Sequence, residues 1–349
     1  MTAGCAIASA ESTRMFAEAA QAPAAIANQL DGNRALVSRI ASKMRSLSPR
    51  AIITGARGSS DHAATFAKYL IETRTGTITS SAGLSTASIY ASPGRFADTV
   101  FLAISQSGQS PDLLTATADA KRAGALTIAL VNASDSPLAE IADEVLPLHA
   151  GSERAVAATK SYLASCAAVI DLVAHWCGDE ALLSVLRDLP MLLSKAWLLD
   201  WSLGAGILTP ATDLYVIGRG LGFGAAQESA LKLKETCGLH AEAFSAAEVQ
   251  HGPMALVRRG FPVLMLSQND ATRDGMADLL GRLARNQADV LLTGFSDPRA
   301  SMLPWLNADP VLQPLLFVQS FYRMANALSV ARGLDPDRPP NLNKITETV

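Results

Sequence analysis

Three ionisable side chains at helical spacing stand out in this sequence of 349 residues. Glu228, Lys232 and Glu235 follow a glycine-rich turn, and residues three and four positions apart on an α-helix share one face. Lys232 and Glu235 would then place an ammonium group beside a carboxylate, a pair suited to moving protons. The alternative interpretation is an exposed ion pair, because surface pairs of this kind contribute little.

A histidine follows this predicted helix. His251 ends a polar cluster that begins at Glu248, and the Gly252-Pro253 pair after it predicts a turn that would fix the cluster. The alternative interpretation is an ordinary loop histidine.

A serine-rich turn forms a second candidate site. The run SQSGQSP contains Ser105, Gln106, Ser107, Gly108, Gln109, Ser110 and Pro111. Ser110 can cap a helix whose first residue is Pro111, so N–H groups, hydroxyls and the helix dipole would converge on a phosphate. Ser59 and Ser60, after an earlier predicted strand, could contribute from a neighbouring loop. Alternatively, both turns only cap helices.

Short apolar strands alternate with helices along the chain, which is typical of a doubly wound parallel sheet that binds ligands at the carboxyl ends of its strands. The pattern occurs twice with an offset of about 163 residues, which predicts a duplicated α/β domain. The aligned segments are IITG (52–55) with YVIG (215–218), FLAISQSG (101–108) with VLMLSQND (263–270), LTIALVNASD (126–135) with DVLLTGFSD (289–297), and DEVLPL (143–148) with DPVLQPL (309–315). Glu72 falls opposite Glu235 in this alignment.

The two copies differ at the serine-rich turn. The second copy has Asn269-Asp270 where the first has Ser107-Gly108. Because the extra carboxylate would repel a phosphate, we expect only the first copy to bind one.

Composition excludes several classes of protein. Hydrophobic residues make up 49% and charged residues 17%, with a formal net charge of −3, which argues against a dedicated nucleic-acid binder. Asp171 and His175 interrupt the best candidate for a membrane span, at 162–176. The four cysteines and five histidines form no metal-binding motif. The N-terminal sequence does not resemble a signal peptide, so we expect a cytoplasmic protein.

Several ordered motifs resemble a known family, the sugar isomerase (SIS) domain pair. They are SQSGQS, ATKSY (158–162), ALKLKE (230–235), HAEAF (240–244), QHGP (250–253) and NLNK (341–344). The match is strongest to the isomerase half of glucosamine-fructose-6-phosphate aminotransferase. The resemblance implies an α/β fold of two tandem SIS domains, each a doubly wound parallel sheet flanked by helices. The expected segments are N-terminal helices at 1–46, a first SIS domain at 47–175, a helical linker at 176–205, a second SIS domain at 206–335, and a tail at 336–349 that reaches the active site.

The resemblance also implies residue roles. Glu235 would move the proton between C1 and C2 of an open-chain sugar, assisted by Lys232. His251 would open the sugar ring, in the aminotransferase from the neighbouring subunit, and Lys344 would form a Schiff base with the ketose. The residues expected to bind the sugar phosphate are Ser60, Ser105, Gln106, Ser107, Ser110, Val156 and Ala157.

Only about fifty residues precede the first predicted strand, so we expect no glutaminase domain, which would be a departure from the aminotransferase. We therefore expect an enzyme like the standalone deaminases, which convert glucosamine 6-phosphate to fructose 6-phosphate and ammonia. Galactosamine 6-phosphate or a fructosamine 6-phosphate conjugate is an alternative substrate, and a non-catalytic sugar-phosphate sensor is the alternative of another class. We expect a homodimer, no cofactor or metal, and no nucleic-acid or membrane partner.

Overall fold

The structure is a computed structural model, and it describes residues 9–344. The described chain divides into two compact units. The first-sheet unit consists of Ala22–Glu153 and Lys160–Pro190. The second-sheet unit consists of residues 9–21, Arg154–Thr159 and Met191–Lys344.

In chain order, the helices of the described residues are α1 (Arg14–Ala20), α2 (Ala22–Leu47), α3 (Ser59–Thr75), α4 (Ser85–Ser88), α5 (Pro111–Arg122), α6 (Pro137–Ile141), α7 (Lys160–Cys177), α8 (Glu180–Arg187), α9 (Leu189–Trp197), α10 (Ser202–Leu208), α11 (Gly222–Cys237), α12 (Arg273–Arg285) and α13 (Gln313–Ala331). The strands are β1 (Ala51–Gly55), β2 (Ile78–Ser81), β3 (Thr99–Ser105), β4 (Leu126–Val131), β5 (Glu144–Pro147), β6 (Asp213–Gly218), β7 (His240–Ser245), β8 (Pro262–Leu266), β9 (Asp289–Thr293) and β10 (Ser301–Met302). Short 3-10 turns cover Ala10–Ser12, Glu248–Gln250 and Pro253–Leu256.

The first-sheet unit contains a parallel sheet with the strand order β2-β1-β3-β4-β5. All seven residues of its central strand β3 are buried, as expected for a parallel strand covered by helices on both faces. On one face, Phe101 and Ala103 of β3 pack in a core with Leu113 and Ala116 of α5. This packing fixes the start of α5 above the carboxyl end of β3.

The second-sheet unit repeats the same topology. Its parallel strands have the order β10-β9-β8-β6-β7, which is the first sheet's order read from the opposite edge. Tyr215 and Ile217 of β6 and Val263 of β8 form a core with Met276 and Leu279 of α12. The predicted fold class, two doubly wound parallel sheets flanked by helices, is therefore confirmed.

One predicted pairing of the repeat is wrong. DPVLQPL (309–315) does not form the last strand of the second sheet; β10 takes that place, and α13 begins at Gln313. The physical reason is local: Asp309 Oδ1 accepts the N–H of Val311 at 2.9 Å, and Pro314 lies in the first turn of α13, where proline suits a helix better than a strand interior.

The units are not continuous segments of the chain. Helix α1 groups with the second sheet and α2 with the first, and the predicted linker 176–205 is divided after Pro190. The domain limits expected from sequence are continuous segments, whereas each compact unit combines segments that are separated in the sequence.

Candidate active site

Glycines set the start and the end of α11, the helix with the Lys-Glu pair. A side chain at Gly218, the last residue of β6, would place its Cβ 2.3 Å from the carbonyl oxygen of Gly222, so β6 and α11 meet closely only with glycine there. Gly238 adopts the left-handed conformation at φ 61° and ends the helix. Glu235 therefore lies in the last turn of α11.

The polar face of this helix is buried. The side chains of Glu228 and Lys232 are 0% exposed, whereas that of Glu235 is 20% exposed. Lys232 Nζ donates a hydrogen bond to Glu235 Oε2 and lies 3.6 Å from Glu228 Oε1. Because a buried charge must be paired, this is a fixed acid-base cluster and not an exposed ion pair. Its most accessible member is Glu235.

A tyrosine from another helix supports the cluster. Tyr322 of α13 is 0% exposed and donates a hydrogen bond from its hydroxyl to Glu228 Oε1 at 2.9 Å. A hydrogen bond to a carboxylate is stronger than one between neutral groups, so Tyr322 stabilises the negative charge of Glu228. Sequence reasoning missed Tyr322, which lies in an apolar helix some ninety residues further on.

The predicted phosphate residues of the first sheet lie at one edge. Strands β1 and β3 are parallel neighbours, with Gly55 opposite Ala103, so the turn before Ser60 and the turn after Ser105 both follow the carboxyl ends of adjacent strands. In the order β2-β1-β3-β4-β5 this is the point where the chain direction across the sheet reverses, the usual ligand site of open α/β sheets.

The turn after β3 is shaped by its own hydroxyls. Ser105 Oγ accepts the N–H of Gly108 at 2.9 Å, and Ser107 Oγ accepts that of Gln109 at 3.4 Å. Gly108 has a φ of 64°, and a Cβ there would lie 2.2 Å from Ser136 Oγ. The backbone carbonyl of Gln106 also stabilises this turn, because it accepts the N–H of Ala133 at 3.3 Å.

Neither helix at this edge has a side-chain cap. Ser110 occupies the position before α5, with Pro111 first in the helix as predicted, but its hydroxyl makes no capping hydrogen bond. The expectation that Ser110 caps α5 is therefore wrong: the hydroxyl does not accept a first-turn N–H. Helix α3 is preceded by Gly58, which has no side chain to cap it. The N–H groups of Ser59 and Ser60 in α3 and of Asp112 in α5 precede the first intrahelical hydrogen bonds and can face an anion, whereas the Leu113 N–H is accepted by Asp112 Oδ1 at 2.8 Å.

An ion pair with a buried carboxylate and a half-exposed arginine links the turn after β1 to the start of α5. Arg57 Nε and Nη2 donate to Asp112 Oδ2 at 2.9 and 2.6 Å; the Asp112 side chain is 0% exposed and that of Arg57 is 51% exposed. Burial raises the pKa of the nearby Asp61, while His62 and Arg57 act in the opposite direction. Sequence reasoning missed Arg57 and Asp112, although an arginine directly before the Gly-Ser-Ser turn is a signal for an anion site.

The corresponding turn of the second sheet is filled by its own side chains. Asp270 Oδ1 accepts the N–H of Thr272 at 2.8 Å. Gln268 is 1% exposed and donates from Nε2 to the Arg219 carbonyl at 2.8 Å and to Asp270 Oδ2 at 3.0 Å. The Asp270 carboxylate thus occupies donors of this turn with its own negative charge, which supports the expectation that only the first copy binds a phosphate.

His251 lies on the other side of the second sheet from Glu235. Its segment packs through Val249 and Val257 into the core that contains α12, whereas α11 packs with α13 against the opposite face. The residue is exposed, follows the 3-10 turn Glu248–Gln250, and its imidazole makes no hydrogen bond with other described residues. Within one chain, the structure does not bring His251 to Glu235.

The described tail is packed and ends at Lys344, which is half-buried. Pro336 and Pro339 are buried, so the tail is not the loose end that its composition indicates. Val156 and Ala157 lie in a short segment, Arg154–Thr159, that belongs to the same unit as the tail. Ala157 is buried and Val156 is half-buried.

Neither a metal centre nor a membrane span emerges from residues 9–344. Their His, Cys, Asp and Glu side chains form no group of three or more that could hold a metal ion. None of their helices is long and apolar enough to cross a membrane.

The SIS domain model matches residues 47–175 and 207–298, which contain the whole first sheet and strands β6 to β9 of the second. This chain belongs to the SIS domain family. The matched segments contain the serine-rich turn of the first SIS domain and the Lys-Glu cluster and His251 of the second, in the order that the sequence motifs predict.

A curated relative shares a substantial part of the sequence. The glutamine-fructose-6-phosphate aminotransferase (isomerizing) of Aeropyrum pernix is 35% identical over 315 residues, which cover 84% of this SIS chain and 50% of the relative. The chain therefore spans about half the length of the curated relatives it matches.

Solved structures share the fold along almost the whole chain. A protein of Silicibacter pomeroyi DSS-3, provisionally named a phosphosugar isomerase, matches with a TM-score of 0.90 and 39% identity over 93% of this chain and 100% of that one. Glucosamine-6-phosphate deaminase of Thermotoga maritima matches with a TM-score of 0.77 and 20% identity over 96% of this chain and 100% of that one, a likeness of fold alone.

Proposed function

We propose that this chain is a phosphosugar isomerase that acts on an amino sugar, converting glucosamine 6-phosphate and water to fructose 6-phosphate and ammonia. The observation that carries the proposal is the buried Lys232-Glu235 pair, whose carboxylate alone retains some exposure. Relatives named for an isomerising reaction of fructose 6-phosphate support the substrate class.

Glu235 is the proposed acid-base group. Aldose-ketose isomerisation removes a proton from one of the two carbons C1 and C2 and returns it to the other, which a single positioned carboxylate can do. Lys232 keeps Glu235 in one orientation through the hydrogen bond to Oε2. In the deaminating direction the C2–N bond is then hydrolysed, so that water supplies the ketone oxygen and nitrogen leaves as ammonia.

The phosphate would bind at the edge of the first sheet. The starts of α3 and α5, neither with a side-chain cap, direct their positive dipole ends to either side of the point where the sheet reverses, and the N–H groups of Ser59, Ser60 and Asp112 are the proposed backbone donors. The donors expected to take part are the hydroxyl or backbone groups of Ser60, Ser105, Gln106, Ser107 and Ser110. Arg57, half exposed beside them, would add a positive charge.

His251 and Lys344 complete the proposed site. Because His251 lies across the sheet from Glu235 in its own chain, we propose that it acts in the Glu235 site of a second copy, where it opens the sugar ring. This supports a homodimer as the active form. Lys344 would form a Schiff base with the ketose, and Val156 and Ala157 would line the sugar.

Ammonia release from glucosamine 6-phosphate without glutamine tests the proposal. The same assay in D2O should incorporate deuterium at the carbon that Glu235 reprotonates. Glu235→Gln, which keeps the side-chain shape, should lower kcat by at least about a hundredfold, the usual range for a general base. Glu72→Gln is the matched control, since Glu72 occupies the equivalent position in the first copy and accepts the N–H of Thr79 at 3.0 Å.

Other outcomes separate the alternatives. Turnover of galactosamine 6-phosphate or a fructosamine 6-phosphate conjugate instead would change the substrate but keep the mechanism. Calorimetric binding of sugar phosphate that survives Glu235→Gln, with no turnover in the wild type, would replace the enzyme with a sensor. A wild-type protein that neither turns over nor binds any of these sugars would refute the proposal.

A further inference from the structure

Helix α1 is fixed firmly to the second-sheet unit. Met15 and Ala19 are fully buried, and Phe16 packs edge-on against Trp197 with ring centroids 4.9 Å apart. Gln319 of α13 donates a hydrogen bond from Nε2 to the Ala19 carbonyl at 3.1 Å. A helix of seven residues is too short to be stable alone, so these contacts determine its position.

The first turn of α1 holds the C-terminal tail. The Asp337 carboxylate accepts the N–H groups of Arg14 at 2.7 Å and Met15 at 2.8 Å. Both belong to the donors that a helix leaves without internal partners, and a carboxylate at a helix start is favoured by the dipole. The tail is therefore anchored seven residues before Lys344.

The last turn of α1 holds the segment with Val156 and Ala157. Glu18 is 7% exposed, and its two carboxylate oxygens accept the N–H groups of Arg154 at 2.6 Å and Ala155 at 3.1 Å. Two charge-assisted hydrogen bonds to consecutive amides fix the path of the backbone immediately before Val156.

We propose that α1 is a brace, that is, a helix that holds the C-terminal tail at its first turn and the segment Arg154–Thr159 at its last turn. Glu18 and Asp337, whose carboxylates make these contacts, are the positioning residues. Glu18 sets the backbone of Val156 and Ala157 against the sugar, and Asp337 sets the reach of Lys344. The inference rests on the proposed function for the roles of Val156, Ala157 and Lys344, whereas the brace itself rests on the hydrogen bonds alone.

Two isosteric variants test it. Glu18→Gln and Asp337→Asn keep one acceptor but turn an amide NH2 group towards the second N–H. Glu11→Gln is the matched control, because Glu11 is an exposed carboxylate just before the same helix. The first readout, amide hydrogen exchange by mass spectrometry, needs no substrate. We expect faster exchange at 150–158 only in Glu18→Gln and at 338–344 only in Asp337→Asn, whereas a general loss of stability would affect both segments.

The second readout is kinetic. Glu18→Gln should raise KM for the amino sugar about tenfold with kcat within about threefold of wild type. Asp337→Asn should reduce about tenfold the adduct that borohydride traps at Lys344 from fructose 6-phosphate, in which the imine formed with loss of water is reduced to an amine. Mass spectrometry locates the adduct.

Each result bears on a separate claim. Unchanged exchange in both variants overturns the brace. Faster exchange with unchanged KM and unchanged adduct, in an active enzyme, overturns the positioning roles. A wild-type protein without turnover or adduct overturns the proposed function and with it those roles, while hydrogen exchange still decides whether α1 holds the two segments.

Discussion

Replacing Glu228 by glutamine should destabilise the protein and slow the proposed reaction together. The substitution preserves the side-chain volume but removes a negative charge that lies 3.6 Å from Lys232 Nζ in a region with no exposed side-chain surface. Lys232 would then depend more heavily on Glu235, whose basicity the reaction needs. Tyr322 would lose a charged acceptor for its hydroxyl.

The magnitude follows from the geometry. At 3.6 Å and an effective dielectric constant of about 20, two unit charges attract by about 4.6 kcal/mol. Part of this is offset by the cost of burying both charges, and measured losses for removing one partner of a buried pair are about 3–5 kcal/mol. We therefore expect Glu228→Gln to lower the free energy of unfolding by about 3–5 kcal/mol and kcat by more than about tenfold.

Urea unfolding followed by tryptophan fluorescence measures the first effect, and ammonia release the second. Tyr322→Phe is the companion variant, with an expected loss of about 1.5–3 kcal/mol for a hydrogen bond to a charged group. The double variant should lose less than the sum of the two, because Tyr322→Phe removes the same hydrogen bond whose charged acceptor Glu228→Gln neutralises. A loss below about 1 kcal/mol for Glu228→Gln, or strict additivity, would refute this account of the cluster.

Three further outcomes are expected. Gly108→Ala should cost more than about 2 kcal/mol in urea unfolding, because its φ is 64° and the new Cβ would lie 2.2 Å from Ser136 Oγ; a neutral result would contradict the geometry. Burial would raise the pKa of Glu144, but hydrogen bonds from two basic side chains of α2 lower it below its usual value. The ionised Glu144 therefore stabilises the fold above the unfolded pKa, and this stabilisation is lost as the pH falls below about 4.5. In thermal melts, Glu144→Gln should make the melting temperature depend less on pH in this acidic range. Burial raises the pKa of Cys237 to about 11, so iodoacetamide should label the exposed Cys177 long before Cys237, as peptide mass spectrometry would show.

Local sequence patterns predicted those structural features that depend only on residues close in the sequence. The strand, turn and helix around Ser105 to Pro111 follow from an apolar run, a glycine and a proline, so the position of the turn was predictable. The direction of the Ser110 hydroxyl was not, because hydroxyl rotation depends on competing partners and not on spacing. The Arg57-Asp112 pair and the Tyr322-Glu228 hydrogen bond join separate elements, so only the folded chain reveals them.

The spacing of residues along the sequence also could not show which side chains are buried. The i, i+3 relation of Lys232 and Glu235 is the same on a surface helix and on a buried one, and only the packing of α11 on α13 distinguishes them. Similarly, the alternation of apolar and polar residues in DPVLQPL fits a strand until Pro314 is placed in a first helical turn. The break between α1 and α2 was equally hidden, since both helices are alanine-rich and only the folded chain shows that they belong to different units.

The two copies share a fold but differ in the side chains that the proposed reaction would use. In the second copy the Asp270 carboxylate accepts hydrogen bonds from Gln268 Nε2 and from the Thr272 N–H, so the turn before α12 is filled by its own side chains, whereas the first copy has Gly108 in place of Asp270. On the first helix of each repeat, α3 and α11, it is the second copy that has the side chain which the proposed reaction would use. Tyr69 stands where the second copy has Lys232, so Glu72 has no ammonium at that position and instead accepts the N–H of Thr79 at 3.0 Å. The proposed reaction uses a carboxylate held by an ammonium group and a turn whose donors can bind a phosphate. Each copy meets one of these requirements, so we expect neither copy alone to catalyse the proposed reaction.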